Sequence, residues 1–255
     1  MKLSELNQKA ILNHAQAVAP NECCGFLVSD DMDGLVFYYP CQNVATDPQN
    51  YFEISSDDWI EAEKLGEIIA IVHSHPNGKP ILSLADRQMQ DLLGLDFWLV
   101  CDNVLHFFPK IPPLVGREFI HNKTDCYTIF KDFYYLSGAD LPDYSREDEW
   151  WEKGQNLYLV NMERYGFKRL ENGENLQIGD VVLMQVGAKV PNHAGIYIGN
   201  QMVLHHSPKR LSKRDLYDGY WLKHTHSIWR MNEWQRSQLD FMVPLKHLDR
   251  VSSSM

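Results

Sequence analysis

Two histidines, a serine and an aspartate fall within one short run, His73-Ser-His75-Pro-Asn-Gly-Lys-Pro-Ile-Leu-Ser83-Leu-Ala-Asp86, at spacings that can build a catalytic zinc site. Residues 67–73 read as a buried strand, so His73 and His75, two apart, project from one face of its end. Ser83 to Asp86 has the form of a helix start before the amphipathic run Arg87-Gln-Met-Gln-Asp-Leu-Leu93, which aims Asp86 back at the strand end. His73, His75 and Asp86 are the candidate zinc ligands. Two imidazoles and one carboxylate leave a fourth tetrahedral position for water, whose pKa zinc lowers to about 7, the mark of a catalytic metal. A blander reading stands beside this one. Ser83-x-x-Asp86 is also an ordinary capping box, and His-x-His can arise by chance in a chain with 11 histidines.

The run resembles the JAMM (MPN) metallopeptidases, whose signature is His-x-His, seven residues, Ser, two residues, Asp, with a Glu far upstream. Bacterial and phage members carry that Glu in a Pro-x-Glu-x-Cys-Gly segment after the first helix, which Pro20-Asn-Glu22-Cys-Cys24-Gly25 resembles. The resemblance implies zinc as cofactor and Glu22 as general base. Amide hydrolysis needs a carboxylate to take the proton of the attacking water and a donor for the oxyanion, and the Ser83 hydroxyl can be that donor. The blander alternative for Glu22 is a solvated loop acid.

A second set of reactive residues follows. Asp125-Cys126 opens a helical pattern with Ile129, Phe130, Phe133 and Tyr134, and the unpaired N–H groups of a first turn favour the thiolate. His193 begins a strand. A helix-borne Cys facing a strand-borne His is the papain arrangement, in which the imidazole takes the thiol proton and later gives it to the leaving amine. His205 lies across a predicted hairpin and can orient His193; strand alternation sends His205 and His206 to opposite faces, so only one of them reaches the cleft. Asp125 reads as the helix cap. The alternative is a packed thiol and an ordinary strand histidine. Asp125-Cys126, His193-Ala-Gly-Ile-Tyr-Ile-Gly199 and His205 resemble the NlpC family of papain-like cysteine peptidases, although Tyr127 and Thr128 replace the small residues that follow its Cys.

The elements that must position these groups read as a helix to about 18, strands at 25–29 and 35–39, an extended piece at 51–54, a helix at 56–65, the zinc strand with its helix, and strands at 97–101 and 104–108. Three prolines in Pro109-Lys-Ile-Pro-Pro-Leu-Val-Gly116 forbid a continuing helix or central strand and mark a linker. Beyond it come the helix from 126, a charged helix from about 146 to 165, and strands at 179–185, 193–199 and 202–206, with a tail at 251–255 expected to fray. The expected organisation is a JAMM-like domain over 1–109, a proline-rich linker over 110–117 and an NlpC-type domain over 118–250. The fold class is α+β, with a mixed sheet and flanking helices in the first domain and a helical part plus a small antiparallel sheet in the second.

A length of 255 residues suits two such domains, and 44% apolar content with 12% aromatics describes a globular chain. No apolar run nears the ~18 residues that span a bilayer, and the polar first helix lacks a signal-peptide core, so no membrane segment is expected and the chain is expected in the cytoplasm. A net charge of −10 opposes nucleic-acid binding, and the basic patch at 209–214 reads as a solvated loop. Five cysteines without CxxC spacing point to reduced thiols, with Cys23, Cys24, Cys41 and Cys101 buried.

A JAMM domain followed by an NlpC domain in this length resembles the tail-tip assembly proteins of lambda-like phages. That resemblance implies a hydrolase made in the host cytoplasm, with the virion tail tip as a further location and other tail-tip proteins as partners. It further implies peptidoglycan stem peptides as the substrate of Cys126, His193 and His205, and a zinc isopeptidase-like activity of unidentified target. Two other readings remain open: a non-catalytic assembly factor or chaperone that uses both folds as scaffolds, and a desampylase-like enzyme that uses only the first.

Overall fold

The computed structural model describes residues 2–30, 32, 34–171 and 173–249, so the expected frayed tail at 251–255 lies outside the described residues. The chain divides into two compact units that part between Lys110 and Ile111.

The first unit runs α1 (Glu5–Val18), β1 (Cys24–Ser29), β2 (Val36–Cys41), α2 (Ser56–Leu65), β3 (Glu67–Ser74), α3 (Leu84–Leu93), β4 (Asp96–Cys101) and β5 (Val104–Phe108). Each helix begins at a serine, Ser4, Ser55 or Ser83, whose side chain accepts the backbone N–H three residues on, a cap worth about 1 kcal/mol. The strands form one sheet in the order β2-β1-β3-β4-β5. β3 is buried on both faces because its alternate residues feed two cores: Ile71 packs with Phe26, Phe97 and Leu99, while Ala70 and Val72 pack with Ile11 and Trp98. The β3–β4 pair is parallel, so the chain must leave the sheet after β3 and return by a crossover, which α3 supplies. The end of β3 and the start of α3 are thereby brought together. Residues 51–54 form no strand; only Ile54 makes an isolated bridge, to Asn43.

The second unit contains α4 (Cys126–Ser137), α5 (Leu157–Arg164), β6 (Phe167–Arg169), β7 (Val181–Met184), β8 (His193–Tyr197), β9 (Met202–His205), β10 (Lys213–Leu216), α6 (Gly219–Lys223), β11 (Thr225–Met231), α7 (Glu233–Arg236) and α8 (Met242–His247). Its antiparallel sheet has the order β10-β9-β8-β7-β11-β6. α4 buries Ile129, Phe130, Phe133 and Tyr134 in a core with Val181, Leu183, Ala194, Ile196 and Leu204 of the sheet. Val182 and Met184, one residue out of phase, feed the opposite face.

Two expected features take another form. The charged helix from about 146 is a helix only over α5, because Glu149 and Gly154 have φ of 54° and 77°, Trp150 is turned into the core, and Arg146 is buried against Asp125. Much of the proline-rich segment packs as part of the second unit: Leu114 is fully buried in its core, and Arg117 donates to the carbonyls of Pro112 and Pro113. Among the described residues, no helix is long and apolar enough to cross a membrane.

Candidate functional site

At the end of β3, His73, His75 and Asp86 come together as the one group among the described residues with three metal-ligating atoms close enough to share an ion. His73 Nε2 and His75 Nε2 are 3.2 Å apart, and Asp86 Oδ2 lies 3.5 Å and 3.4 Å from them. A tetrahedral centre with bonds of about 2.0–2.1 Å has ligand-to-ligand edges of about 3.3 Å, so the three separations fit zinc. The chemistry of the donors fits as well. His75 Nδ1 lies 3.2 Å from the Lys79 carbonyl, to which it donates as the N–H, and this leaves the Nε2 lone pair facing the cluster. Buried, electron-rich atoms at such distances repel one another unless a cation or a proton sits among them. His73 is stacked on Phe52 at 4.7 Å, which gives the strandless 51–54 segment its place in the site.

Asp86 holds its position through the capping box of α3: its Oδ2 accepts the Ser83 N–H at 2.8 Å, and Ser83 Oγ accepts the Asp86 N–H at 3.1 Å. The two readings of Ser83-x-x-Asp86 are thus compatible in one geometry. Burial alone would raise the Asp86 pKa, but hydrogen bonds with His73 and His75 outweigh it and hold the carboxyl well below the usual range. Ser83 is exposed, and because its oxygen already accepts an N–H, its hydrogen remains free to donate.

Glu22 is buried, with Oε1 3.9 Å from His75 Nε2. Its segment is fixed to the strand end: Cys24 sits opposite His73 in the β1–β3 register, Cys23 N–H donates to Ser74 Oγ at 2.7 Å, and Asn43 Nδ2 donates to the Glu22 carbonyl at 3.0 Å. Burial, opposed by the charge of His75 and reinforced by that of Asp86, pushes the Glu22 carboxyl up to about 7. A carboxyl titrating there can take and return a proton near neutral pH. Its burial weighs against the solvated-loop reading.

In the second unit, Cys126 and His193 line one cavity of about 860 Å³. Asp125 caps α4 by accepting the Thr128 N–H at 2.9 Å and is held by Arg146 at 3.0 Å. Cys126 is half-buried, unlike the four buried cysteines. Among the described residues no hydrogen bond joins its sulfur to His193; the partner of Sγ is the Tyr158 hydroxyl, at 3.2 Å. Burial and the Asp125 charge push the thiol up to about 11, with Tyr158 and the Ala194 backbone partly offsetting them. The expectation of a thiol made acidic by its helix position is not met. Beside the sulfur the Asp125 charge enters against the thiolate, and burial outweighs the favourable bonds.

His193 Nε2 lies 3.0 Å from His205 Nδ1, so of the two neighbouring histidines it is His205 that meets His193. His206 turns away to the Arg210 carbonyl at 3.1 Å and against Phe119. Burial and the neighbouring His205 and His206 bring the His193 pKa down to about 3, so its ring is neutral at physiological pH. Sequence reasoning missed Tyr158 and Asp215. Asp215 Oδ2 lies 3.0 Å from His205 Nε2, on a strand whose run Lys213-Arg-Asp-Leu216 carries no apolar alternation and whose first residues read as solvated loop. The register signal was available only from the fold: Lys213 pairs with His205, and Asp215, two residues on, shares its face.

The two units and their sites define a protein with a JAB-type domain followed by a papain-like one. Residues 5–110 match the prokaryotic homologs of the JAB domain, and residues 116–230 match the NlpC/P60 family. The chain is 50% identical over 184 residues to tail tip assembly protein K of Escherichia phage lambda, covering 72% of this chain and 92% of that protein. It is 34% identical over 231 residues to tail tip assembly protein K of Escherichia phage N15, covering 88% of this chain and 93% of that protein. The chain belongs to the tail tip assembly protein K family. Its first unit is also similar to the desampylase of Haloferax volcanii, at 30% identity over 102 residues, 36% of this chain and 73% of that protein.

Proposed function

We propose that this tail tip assembly protein carries two amide-cleaving sites: a cysteine peptidase for peptidoglycan stem peptides, and a zinc-dependent isopeptidase-like site. The observation that carries the reading is the line Asp215, His205, His193 ending in the cavity that Cys126 also lines. There the thiol proton passes to His193, Sγ attacks the amide carbonyl, and the proton returns to the leaving amine as the C–N bond breaks. Water then hydrolyses the thioester. The cavity wall bears Asp148 and Glu149 together with Lys209 and Arg210, both signs of charge, which suits a peptide that itself carries amines and carboxylates.

In the first unit His73, His75 and Asp86 would hold zinc, which supplies a Lewis acid and acidifies water there. Glu22 takes the proton from the attacking water and delivers it to the leaving amine, while the Ser83 hydroxyl donates to the oxyanion. The similarity to a desampylase supports an isopeptide bond as its target. The protein works in the host cytoplasm during assembly, where other tail-tip proteins are its partners.

The thiol bound to Tyr158 rather than His193 favours a second reading, an assembly factor that uses both folds as scaffolds. Purified sacculi incubated with the full-length chain and analysed by mass spectrometry separate the two. A new amine and carboxyl pair produced by the wild type and not by Cys126→Ala supports the peptidase; unaltered sacculi support the scaffold.

A further inference from the structure

Three donors converge on one carboxylate oxygen beside the paired histidines. Asp215 Oδ2 receives His205 Nε2 at 3.0 Å, Lys213 Nζ at 2.8 Å and Trp221 Nε1 at 3.2 Å. We propose that Asp215 is a positioning residue that sets the proton polarity of the whole line and so decides which nitrogen of His193 is the base. This inference rests on the reading of Cys126 as a nucleophile.

An ionised carboxylate only accepts, so the nitrogen of His205 that meets Asp215, Nε2, must carry the hydrogen. The bonds from Lys213, His205 and Trp221 outweigh burial and keep the Asp215 carboxyl below its usual range, so it is ionised at neutral pH. A neutral His205 protonated at Nε2 has a bare Nδ1, and this accepts from His193 Nε2 at 3.0 Å and from the Ser207 hydroxyl at 3.3 Å. His193, neutral and protonated at Nε2, is then left with its lone pair on Nδ1, which has no hydrogen-bond partner among the described residues. One fixed acceptor at the end of the line thus leaves a basic atom at the other end, on a residue that lines the Cys126 cavity.

Trp221 holds the geometry in which this works. Its ring stacks on His193 at 5.6 Å and 30° and meets His205 edge-on at 4.4 Å, while its N–H is tied to the same Asp215 oxygen. The imidazoles therefore cannot flip without breaking the indole contact. Without Asp215, His205 loses the partner that demands a hydrogen on Nε2, and a His205 protonated at Nδ1 would donate to His193 and leave its base as Nε2, buried in the line.

The test is the tautomeric state of the histidines in the full-length chain, read from long-range ¹H–¹⁵N correlations of ¹⁵N-histidine-labelled protein near pH 7.5. The wild type should show both His193 and His205 protonated at Nε2. Asp215→Ala should lose that single state, with a second His205 tautomer or exchange broadening of both rings. Asp215→Asn, which can place its amide oxygen where Oδ2 lies, should restore the wild-type pattern and remains available if the Ala variant does not fold. On a stem peptide, Asp215→Ala should lower kcat by about 10–100-fold with KM within about twofold, the scale of a lost outer-shell orienting bond. A wild-type His205 protonated at Nδ1, or an Asp215→Ala spectrum with both tautomers unchanged, overturns the proposal. Because the tautomers are read without turnover, an inactive wild-type chain with the expected spectrum would count against the peptidase reading and leave the role of Asp215 intact.

Discussion

On the zinc reading Asp86 performs two tasks with one oxygen, and Asp86→Asn separates them. Its Oδ2 closes the capping box of α3 at 2.8 Å from Ser83 N and stands 3.5 and 3.4 Å from the imidazole Nε2 atoms of His73 and His75. An amide keeps an oxygen for the cap but offers zinc a neutral, weak ligand. At free zinc a hundredfold above the wild-type Kd, binding stabilises the folded state by about 2.7 kcal/mol. For a unit that ends at Lys110 this raises the midpoint by roughly 10 °C. Losing the anionic ligand should weaken binding at least ~100-fold, since even the outer partners of metal ligands are worth 10–100-fold. At the same zinc concentration the increment then falls to about 0.4 kcal/mol, or roughly 2 °C. The assay is calorimetry of the full-length chain, stripped of metal and then titrated with zinc. The quantity read is the zinc increment within each chain, so any difference between metal-free forms cancels. Ser83→Ala is the control: it removes the cap, about 1 kcal/mol in both states, and should keep the increment. A wild-type midpoint that does not move with zinc, or an Asp86→Asn chain with the full increment, refutes the ligand assignment.

Other outcomes follow from the same geometry. In the metal-free chain the Glu22 carboxyl, raised to about 7, binds its proton more tightly folded than unfolded, so that contribution to stability is present at low pH and lost as pH rises through about 7. Urea titrations should show this slope flattened in Glu22→Gln, and a slope identical to wild type removes the basis for a raised pKa. The same variant should keep zinc yet lose amide cleavage, as metal analysis and a conjugate-cleavage assay can check. Cys126 should be the first of the five thiols alkylated by iodoacetamide because it alone is partly exposed, and its rate should climb about tenfold per pH unit from 7 towards the thiol pKa of about 11. Peptide mapping that shows a plateau below pH 8 contradicts this; Tyr158→Phe should slow labelling further by removing the bond that lowers the pKa. Phage carrying Cys126→Ala with His193→Ala should assemble tails but form plaques poorly, and normal plaques where deletion of the second unit gives none would make that unit a scaffold.

What is legible in the sequence is what depends on local periodicity. The 56–65 helix, the zinc strand and the paired strands at 97–101 and 104–108 carry their burial pattern in consecutive residues, and the structure forms them with shifts of at most a residue at either end. His73, His75 and Asp86 are readable for the same reason, since a strand end and the next helix start bring them together through one short loop. β10 is not readable. Its burial alternates along the charged run Lys213-Arg-Asp-Leu216, where an edge strand needs no apolar stripe, and so Asp215 is hidden. The segment before α5 misleads because charge spacing suggests a helix, while the buried Trp150 and Arg146 pull the backbone inward to contacts more than twenty residues distant in sequence, among them Asp125.

The two sites also differ in how nearly they are assembled. In the first, the candidate ligand atoms already stand at coordination separations, because His73 lies at the end of β3, His75 directly follows that strand and Asp86 is locked by its own helix cap. In the second, the line from Asp215 to His193 is formed, but the sulfur is engaged elsewhere, with Tyr158. A change of χ1 between staggered wells moves a cysteine sulfur by about 3 Å, and Cys126 and His193 line the same cavity. Nucleophile and base often close to bonding distance only when substrate is bound, so a high resting thiol pKa and peptidase activity are compatible. Slow alkylation of the free protein therefore does not by itself argue for a scaffold. What distinguishes them is the response to ligand: a stem peptide that makes the thiolate should raise the Cys126 alkylation rate at pH 7 when it binds without blocking the sulfur, and His193→Ala should abolish that rise. A peptide that binds and leaves the wild-type rate unchanged would show the sulfur never reaching its base.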